Sequence, residues 1–163
     1  MPSITALLQT FNHALTLGRA LETLYPCDEI LIVDQGSHDN TVRVAHEYGA
    51  RVISVSPDPL PSLYLQSASC DWILCLEPRE SLSEALAASL FEWKLDEADE
   101  GTRARAGNIS LRDETATGWN NLPDRETRLV QKNWSQWQGW RPAYDPAAKT
   151  LDGPLLRFMH TRP

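Results

Sequence analysis

From Ile4 to Trp93, short apolar runs alternate with segments of helical periodicity, and this alternation constrains the fold more than any other feature. Ile4–Leu8 is a mostly apolar run suited to a buried strand. Ala14, Leu17, Leu21 and Leu24 then recur at helical spacing, and Pro26 stops that helix. Glu29–Val33 is apolar and β-branched, as a central strand should be. Asp39 or Asn40 caps a second helix with Val42, Ala45 and the Tyr48 ring on one stripe; Gly49 stands where a helix C-terminus wants positive φ. Val52–Val55 is a third strand, and Ser56–Ser62, with three prolines, is a loop. A short helix over Leu63–Ala68 precedes a fourth strand, Trp72–Leu76. Ser81-x-x-Glu84 has the spacing of a capping box and predicts a helix with Leu82, Leu86, Leu90 and Trp93 on one side. Strands alternating with helices imply βαβ units, right-handed crossovers and a mostly parallel sheet.

Charge divides the chain in two. Residues 1–100 hold 5 basic and 16 acidic residues, whereas residues 101–163 hold 10 basic and 6 acidic. The change falls at Asp96–Gly101. It separates an acidic α/β part, 1–100, from a basic, tryptophan-rich extension, 101–163, that completes the same domain. In that extension Asn108–Leu111, Thr127–Val130 and Leu155–Met159 are plausible strands. Trp134, Trp137 and Trp140 recur every third residue, as a helical turn or an irregular aromatic cluster would have them.

Several classes are excluded. The net charge of −7 argues against broad binding to a nucleic-acid backbone. No apolar run approaches the roughly 20 residues of a membrane span, and the N-terminus lacks a secretion signal. Cys27, Cys70 and Cys75 form no CxxC pair and read as free thiols in a reducing cytoplasm. His13, His38, His46 and His160 lack zinc-ligand spacing. Neither GxGxxG nor GxxxxGK[ST] is present.

In an open α/β sheet, ligands bind beyond the carboxyl ends of the strands. Three polar segments share that rim: Gln9–His13, Asp34–Asp39 and Glu77–Glu80. At these loops the sequence resembles the family-two glycosyltransferases of the GT-A fold. Thr10-Phe11-Asn12-His13 is similar to the family's Thr-Tyr-Asn-Glu loop. Asp34-Gln35-Gly36-Ser37-His38-Asp39-Asn40-Thr41 is similar to its Asp-x-Gly-Ser-x-Asp-x-Thr turn. Glu47–Ile53 resembles the helix end before the third strand, and Asp71–Glu80 the strand ending in the Leu-Asp-x-Asp-Glu metal motif. The order matches over about residues 3–90, with a fainter match at Arg125–Gln131, and looks most like bacterial members that build lipopolysaccharide core, a cell-envelope glycan, or sit beside tetratricopeptide repeats.

The resemblance implies a three-layer α/β sandwich of GT-A type with a mostly parallel central sheet. It implies transfer of a sugar from a nucleotide-sugar donor to a glycan or lipid-linked acceptor. Thr10, Phe11, Asn12, Asp34 and Gly36 would border the nucleotide, with Arg79 near its diphosphate and Glu77 as the remaining metal ligand for Mg²⁺ or Mn²⁺. Asp34 is equally suited to capping its own turn. Arg79 stands where relatives carry the second metal-binding Asp, and pairing with Glu77 or Glu80 is its alternative. Gln35 stands where many relatives have an acid. The catalytic acid has no clear counterpart; Asp113, Glu114, Asp124 and Glu126 are candidates by position, with Asp124 and Glu126 preferred. Trp119, Trp134, Trp137 and Trp140 suit either an acceptor groove or a second core. Arg125, Arg128 and Arg141 suit either a diphosphate or an ordinary surface. Two alternatives remain: a catalytically inactive GT-A module that binds nucleotide or protein, and an unrelated doubly wound phosphate-binding protein.

Overall fold

The computed structural model describes residues 2–57, 59–97 and 105–159. Along the chain run β1 (Ile4–Thr10), α1 (Ala14–Glu22), β2 (Glu29–Asp34), α2 (Thr41–Glu47) and β3 (Arg51–Ser54). Then come α3 (Pro61–Tyr64), a 3₁₀ turn (Leu65–Ser67), β4 (Trp72–Leu76), β5 (Glu80–Leu82) and α4 (Glu84–Glu97). The remainder is β6 (Ala106–Thr115), β7 (Gly118–Asn121), β8 (Glu126–Gln131), β9 (Trp137–Gln138), β10 (Arg141–Pro142) and β11 (Lys149–Arg157). The change of charge at Asp96–Gly101 lies largely outside the described residues.

One sheet runs in the order β3-β2-β1-β4-β8-β6-β11-β5, with β7 paired to β6. Strands β3, β2, β1 and β4 are parallel, as their helical crossovers require. β8 enters antiparallel between β4 and β6, and β11 is again parallel to β6. The extension therefore continues the sheet of the first part. Antiparallel pairing puts the start of β8 beside the carboxyl end of β4. The register of β11 sets Arg157 opposite both Asp113 and Glu80.

Both faces of the sheet are covered, so the structure has three layers. Ile4, Ala6, Leu8, Ile32, Leu74 and Leu76 face Leu17 and Leu21 of α1, Ala45 of α2, and Leu86, Leu90 and Trp93 of α4. The alternate residues Leu7, Leu31, Val33, Ile73 and Cys75 face Tyr64, Leu65 and Ala68. Trp134, Trp137 and Trp140 pack against this second cluster, half-buried. They lie on and around the β9–β10 hairpin rather than on a helical turn. The indole N–H of Trp137 donates to the Trp134 carbonyl at 2.7 Å, which fixes the cluster from within.

Three local details differ from the sequence expectations. Ser81 lies inside β5, and Ser83 caps α4: its hydroxyl accepts from the Leu86 N–H at 3.2 Å. The third helix begins at Pro61, earlier than expected, with proline in the first turn where its missing N–H costs nothing. β11 stops at Arg157, so Phe158 and Met159 lie beyond the strand. The end of α2 matches its expectation. Gly49 has φ +75°, its N–H reaches the His46 carbonyl at 3.0 Å, and the Ala50 N–H reaches Ala45 at 3.0 Å, a Schellman closure.

Candidate functional site

β1 and β2 deliver their carboxyl ends side by side, and the Thr10–His13 and Asp34–Asp39 turns are bonded into one unit. Asp34, 3% exposed, is its centre. One carboxylate oxygen accepts from the hydroxyls of Thr10 at 2.8 Å and Ser37 at 2.6 Å. The other accepts from the N–H groups of Gly36 at 3.2 Å and Ser37 at 2.9 Å. A carboxylate has about four acceptor sites, and all are filled by the protein. Burial pushes the Asp34 carboxyl up, but the bonds from Ser37, Thr10 and Gly36 outweigh it and hold it below the usual range. All four of these bonds serve the turn and its junction with β1. Gly36, at φ +90°, lets the chain reverse there.

Asn12 adopts φ +57° and crosses between the loops: its N–H donates to Ser37 Oγ, and its side-chain carbonyl accepts from the His38 N–H. Phe11 is left 49% exposed, edge-on to His38 with centroids 6.4 Å apart. His13 Nδ1 accepts from the Phe11 N–H at 2.9 Å. Burial lowers the His13 pKa, opposed by Asp39, Glu77 and Asp34 and assisted by Arg79. The parallel register sets Thr10 opposite Asp34 and Leu8 opposite Leu76, so the three segments leave the sheet at one shared rim. Gln35, where relatives carry an acid, donates to Gln9, which donates to the Tyr64 hydroxyl.

The third segment, Glu77–Glu80, is organised by guanidinium groups. Arg79 Nε pairs with Glu77 Oε2 at 3.1 Å, so Arg79 takes Glu77 as its partner and not Glu80. Arg157 approaches the same Glu77 oxygen at 3.8 Å. Glu80 is fully buried and held bidentately by Arg128 at 2.7 and 2.8 Å; Arg128 also donates to the Cys75 carbonyl. Phe158 and Met159 lie against this loop: the Phe158 N–H donates to the Arg79 carbonyl at 3.0 Å, and Arg79 Nη1 reaches Met159 Sδ. Arg19 of α1 stacks on the Phe158 ring at 3.7 Å, and Trp119 meets its edge at 5.2 Å.

The other candidates divide. Arg128 is completely buried and belongs to the interior, neither surface nor diphosphate ligand. Glu126 lies at the rim but is paired with Arg128 at 3.1 Å and with Arg141. Burial raises its pKa, and those two cations more than reverse the shift, so it stays ionised and engaged. Asp124 and Arg125 are exposed on the turn leading into β8. Asp113 Oδ1 is 2.8 Å from Arg157 Nε, an ion pair by distance but out of line for a hydrogen bond. Glu114 is buried. Sequence reasoning missed Arg157, Arg19 and Phe158. Their signal was weak, because nothing local says that β11 returns beside the β4 loop.

The fold family implies a divalent cation at Glu77–Glu80. Such an ion takes several carboxylate or carbonyl oxygens at once. Glu77 is already shared by two guanidinium groups, and both oxygens of Glu80 are committed to Arg128. The residues present do not fit the ion. Among the described residues no group of three or more His, Cys, Asp or Glu side chains is placed to hold a metal.

Comparison with known proteins agrees with this architecture. No protein-family model matches the chain. Over 91 residues it is 35% identical to an uncharacterized glycosyltransferase of Rickettsia felis, covering 53% of this chain and 32% of that protein. It superposes on a crystal structure of S. aureus TarS (residues 1–349) with a TM-score of 0.69 at 12% identity, covering 96% of this chain and 60% of that one. Glucosyl-3-phosphoglycerate synthase of Mycobacterium tuberculosis, solved with Mg²⁺ and UDP, aligns with a TM-score of 0.51 at 21% identity over 66% of this chain and 43% of that one. The chain therefore spans about a third to three fifths of the relatives it matches. No helix among the described residues is long and apolar enough to cross a membrane. The chain has the GT-A fold, and over about half its length it is similar in sequence to a glycosyltransferase.

Proposed function

We propose that this chain is the nucleotide-binding domain of a glycosyltransferase that moves a sugar from a nucleotide donor to a glycan or lipid-linked acceptor. The convergence of Thr10–His13, Asp34–Asp39 and Glu77–Glu80 at the carboxyl ends of β1, β2 and β4 carries this reading. The alternative of a catalytically inactive module is not favoured by the similarities. In this account Thr10, Asn12, Asp34 and Gly36 shape the nucleoside wall, and Phe11 offers its exposed ring to the base. Asp34 acts by fixing the turn. Transfer needs a base for the acceptor hydroxyl and positive charge for the departing diphosphate. Asp124 is the better placed base of the two preferred acids, because Glu126 is held by two arginines. Arg79 is the cation nearest the loops. The three free cysteines support a reducing, cytoplasmic setting.

The test is incubation of the purified chain with a panel of sugar nucleotides in the presence of Mn²⁺, following nucleotide binding and release of the nucleoside diphosphate. Binding that Phe11→Ala weakens about tenfold, the scale of one base–aromatic stack, supports the reading. A folded protein that binds no member of the panel contradicts it.

A further inference from the structure

The guanidinium groups around Glu77 have a consequence for the ligand itself. Arg79 and Arg157 converge on one carboxylate oxygen, at 3.1 and 3.8 Å. Arg79 is 37% exposed and Glu77 26%, so both can be reached from outside. Arg157, 15% exposed, lies within ion-pair distance of Asp113, Glu80 and Glu77. Arg79 is braced by Met159 through one nitrogen while its Nε holds Glu77. Two guanidinium groups beside one half-exposed carboxylate carry the charge and the donors that an anion with more than one oxygen needs. A phosphate carries such oxygens; the Glu77 carboxylate imitates them.

We propose that the Glu77–Glu80 loop binds the diphosphate of the nucleotide without a divalent cation, and that Glu77 is an internal stand-in for that diphosphate which the ligand displaces from Arg79 and Arg157. The proposal rests on the nucleotide-binding role given above and deepens it by assigning the charge chemistry. It reverses the role that the family pattern gives to the first acid of this loop. A metal ligand strengthens nucleotide binding; an internal competitor weakens it. The two roles predict opposite signs for one substitution.

The experiment is calorimetric titration of UDP and of inorganic pyrophosphate into the full chain, with EDTA and with Mn²⁺, on wild type, Glu77→Gln and Arg79→Ala. Glutamine keeps the shape of Glu77, and a thermal melt checks that each variant is folded. The expected result is UDP binding that survives EDTA, is tightened by Glu77→Gln about two- to fivefold, the weight of an exposed ion pair, and is weakened by Arg79→Ala about tenfold or more, as for a charge-assisted hydrogen bond. UDP binding that requires Mn²⁺ and is lost in Glu77→Gln overturns the proposal while leaving the nucleotide-binding reading intact. Pyrophosphate binding under EDTA with the same two responses, but no added affinity from the nucleoside of UDP, supports the anion receptor and counts against the nucleotide-binding reading. Absence of binding by either probe under both conditions overturns both.

Discussion

At the scale of single residues, the decisive contrast is between Asp34 and Glu77. Both are acids at strand ends, yet Asp34 is sealed by four hydrogen bonds and Glu77 is half-open and shared by cations. Asp34→Asn removes the charge, and its amide must either face the Gly36 and Ser37 N–H groups or donate to the Thr10 and Ser37 hydroxyls, whose protons then lose their acceptor. It should cost about 1–3 kcal/mol, the penalty of an unsatisfied buried group, measurable by urea denaturation. The pH dependence has a definite sign. The Asp34 pKa in the folded protein lies below its ordinary value of 3.8. Its contribution is therefore present above pH 3.8 and is lost as pH falls through the folded pKa. Stability of Asp34→Asn should fall less steeply with acid than wild type below about pH 4; an unchanged acid limb would remove Asp34 as the turn's anchor. The sequence showed that an acid belonged here, because Asp-x-Gly-Ser is turn chemistry whatever the ligand. It could not show that Thr10 would arrive from another strand to complete the set of donors.

Among the elements, the parallel strands and the end of α2 were legible because their signals are local. Ile4–Leu8 and Trp72–Leu76 needed only apolar runs, and Gly49 needed only its place after a helix. The start of α4 was misassigned by two residues: Ser81 and Ser83 both precede Glu84, and only the pairing of β5 with β11 takes Ser81 out of the cap. β7 was invisible, since Gly118–Asn121 is exposed throughout. β11 packs closely on α4 at a glycine. It bulges between Thr150 and Pro154 under the first turn of α4, and Gly153 sits there at φ +90°. A Cβ on Gly153 would lie 2.3 Å from the Leu86 nitrogen and 2.7 Å from the Ala85 carbonyl carbon. Gly153→Ala should destabilise by about 2 kcal/mol or more through backbone strain and overlap, seen as a lowered melting temperature. A wild-type melt would show that α4 yields easily. The buried pair Glu80–Arg128 joins β5 to β8 across the same end of the sheet. Arg128→Ala leaves the buried Glu80 carboxylate with only the Glu77 N–H and the Arg157 guanidinium 4.0 Å away, and should cost about 3 kcal/mol, whereas Arg128→Met with Glu80→Leu should recover much of it in a double-mutant cycle.

For the molecule as a whole, the basic extension is not an appendage. β8, β6 and β11 continue the sheet begun by β1–β4, and Arg128, Arg141 and Arg157 supply the countercharges for Glu80, Glu126 and Glu77. Two acids of the first part, Glu80 and Glu77, are thus countered by arginines of the extension at one end of the sheet. This arrangement was hidden in the sequence because the pairs are separated by tens of residues. It makes the carboxyl-end rim the place where a nucleotide must act if the account is right. The opposite end of the sheet offers a competing location, an open cleft lined by Cys27, Asp28, Tyr48 and Arg51. Amide hydrogen exchange on the full chain, with and without saturating UDP, tests the two against each other. The account predicts protection confined to residues 10–13, 34–39 and 77–80; protection at 27–30 and 48–51, or none anywhere, would contradict it.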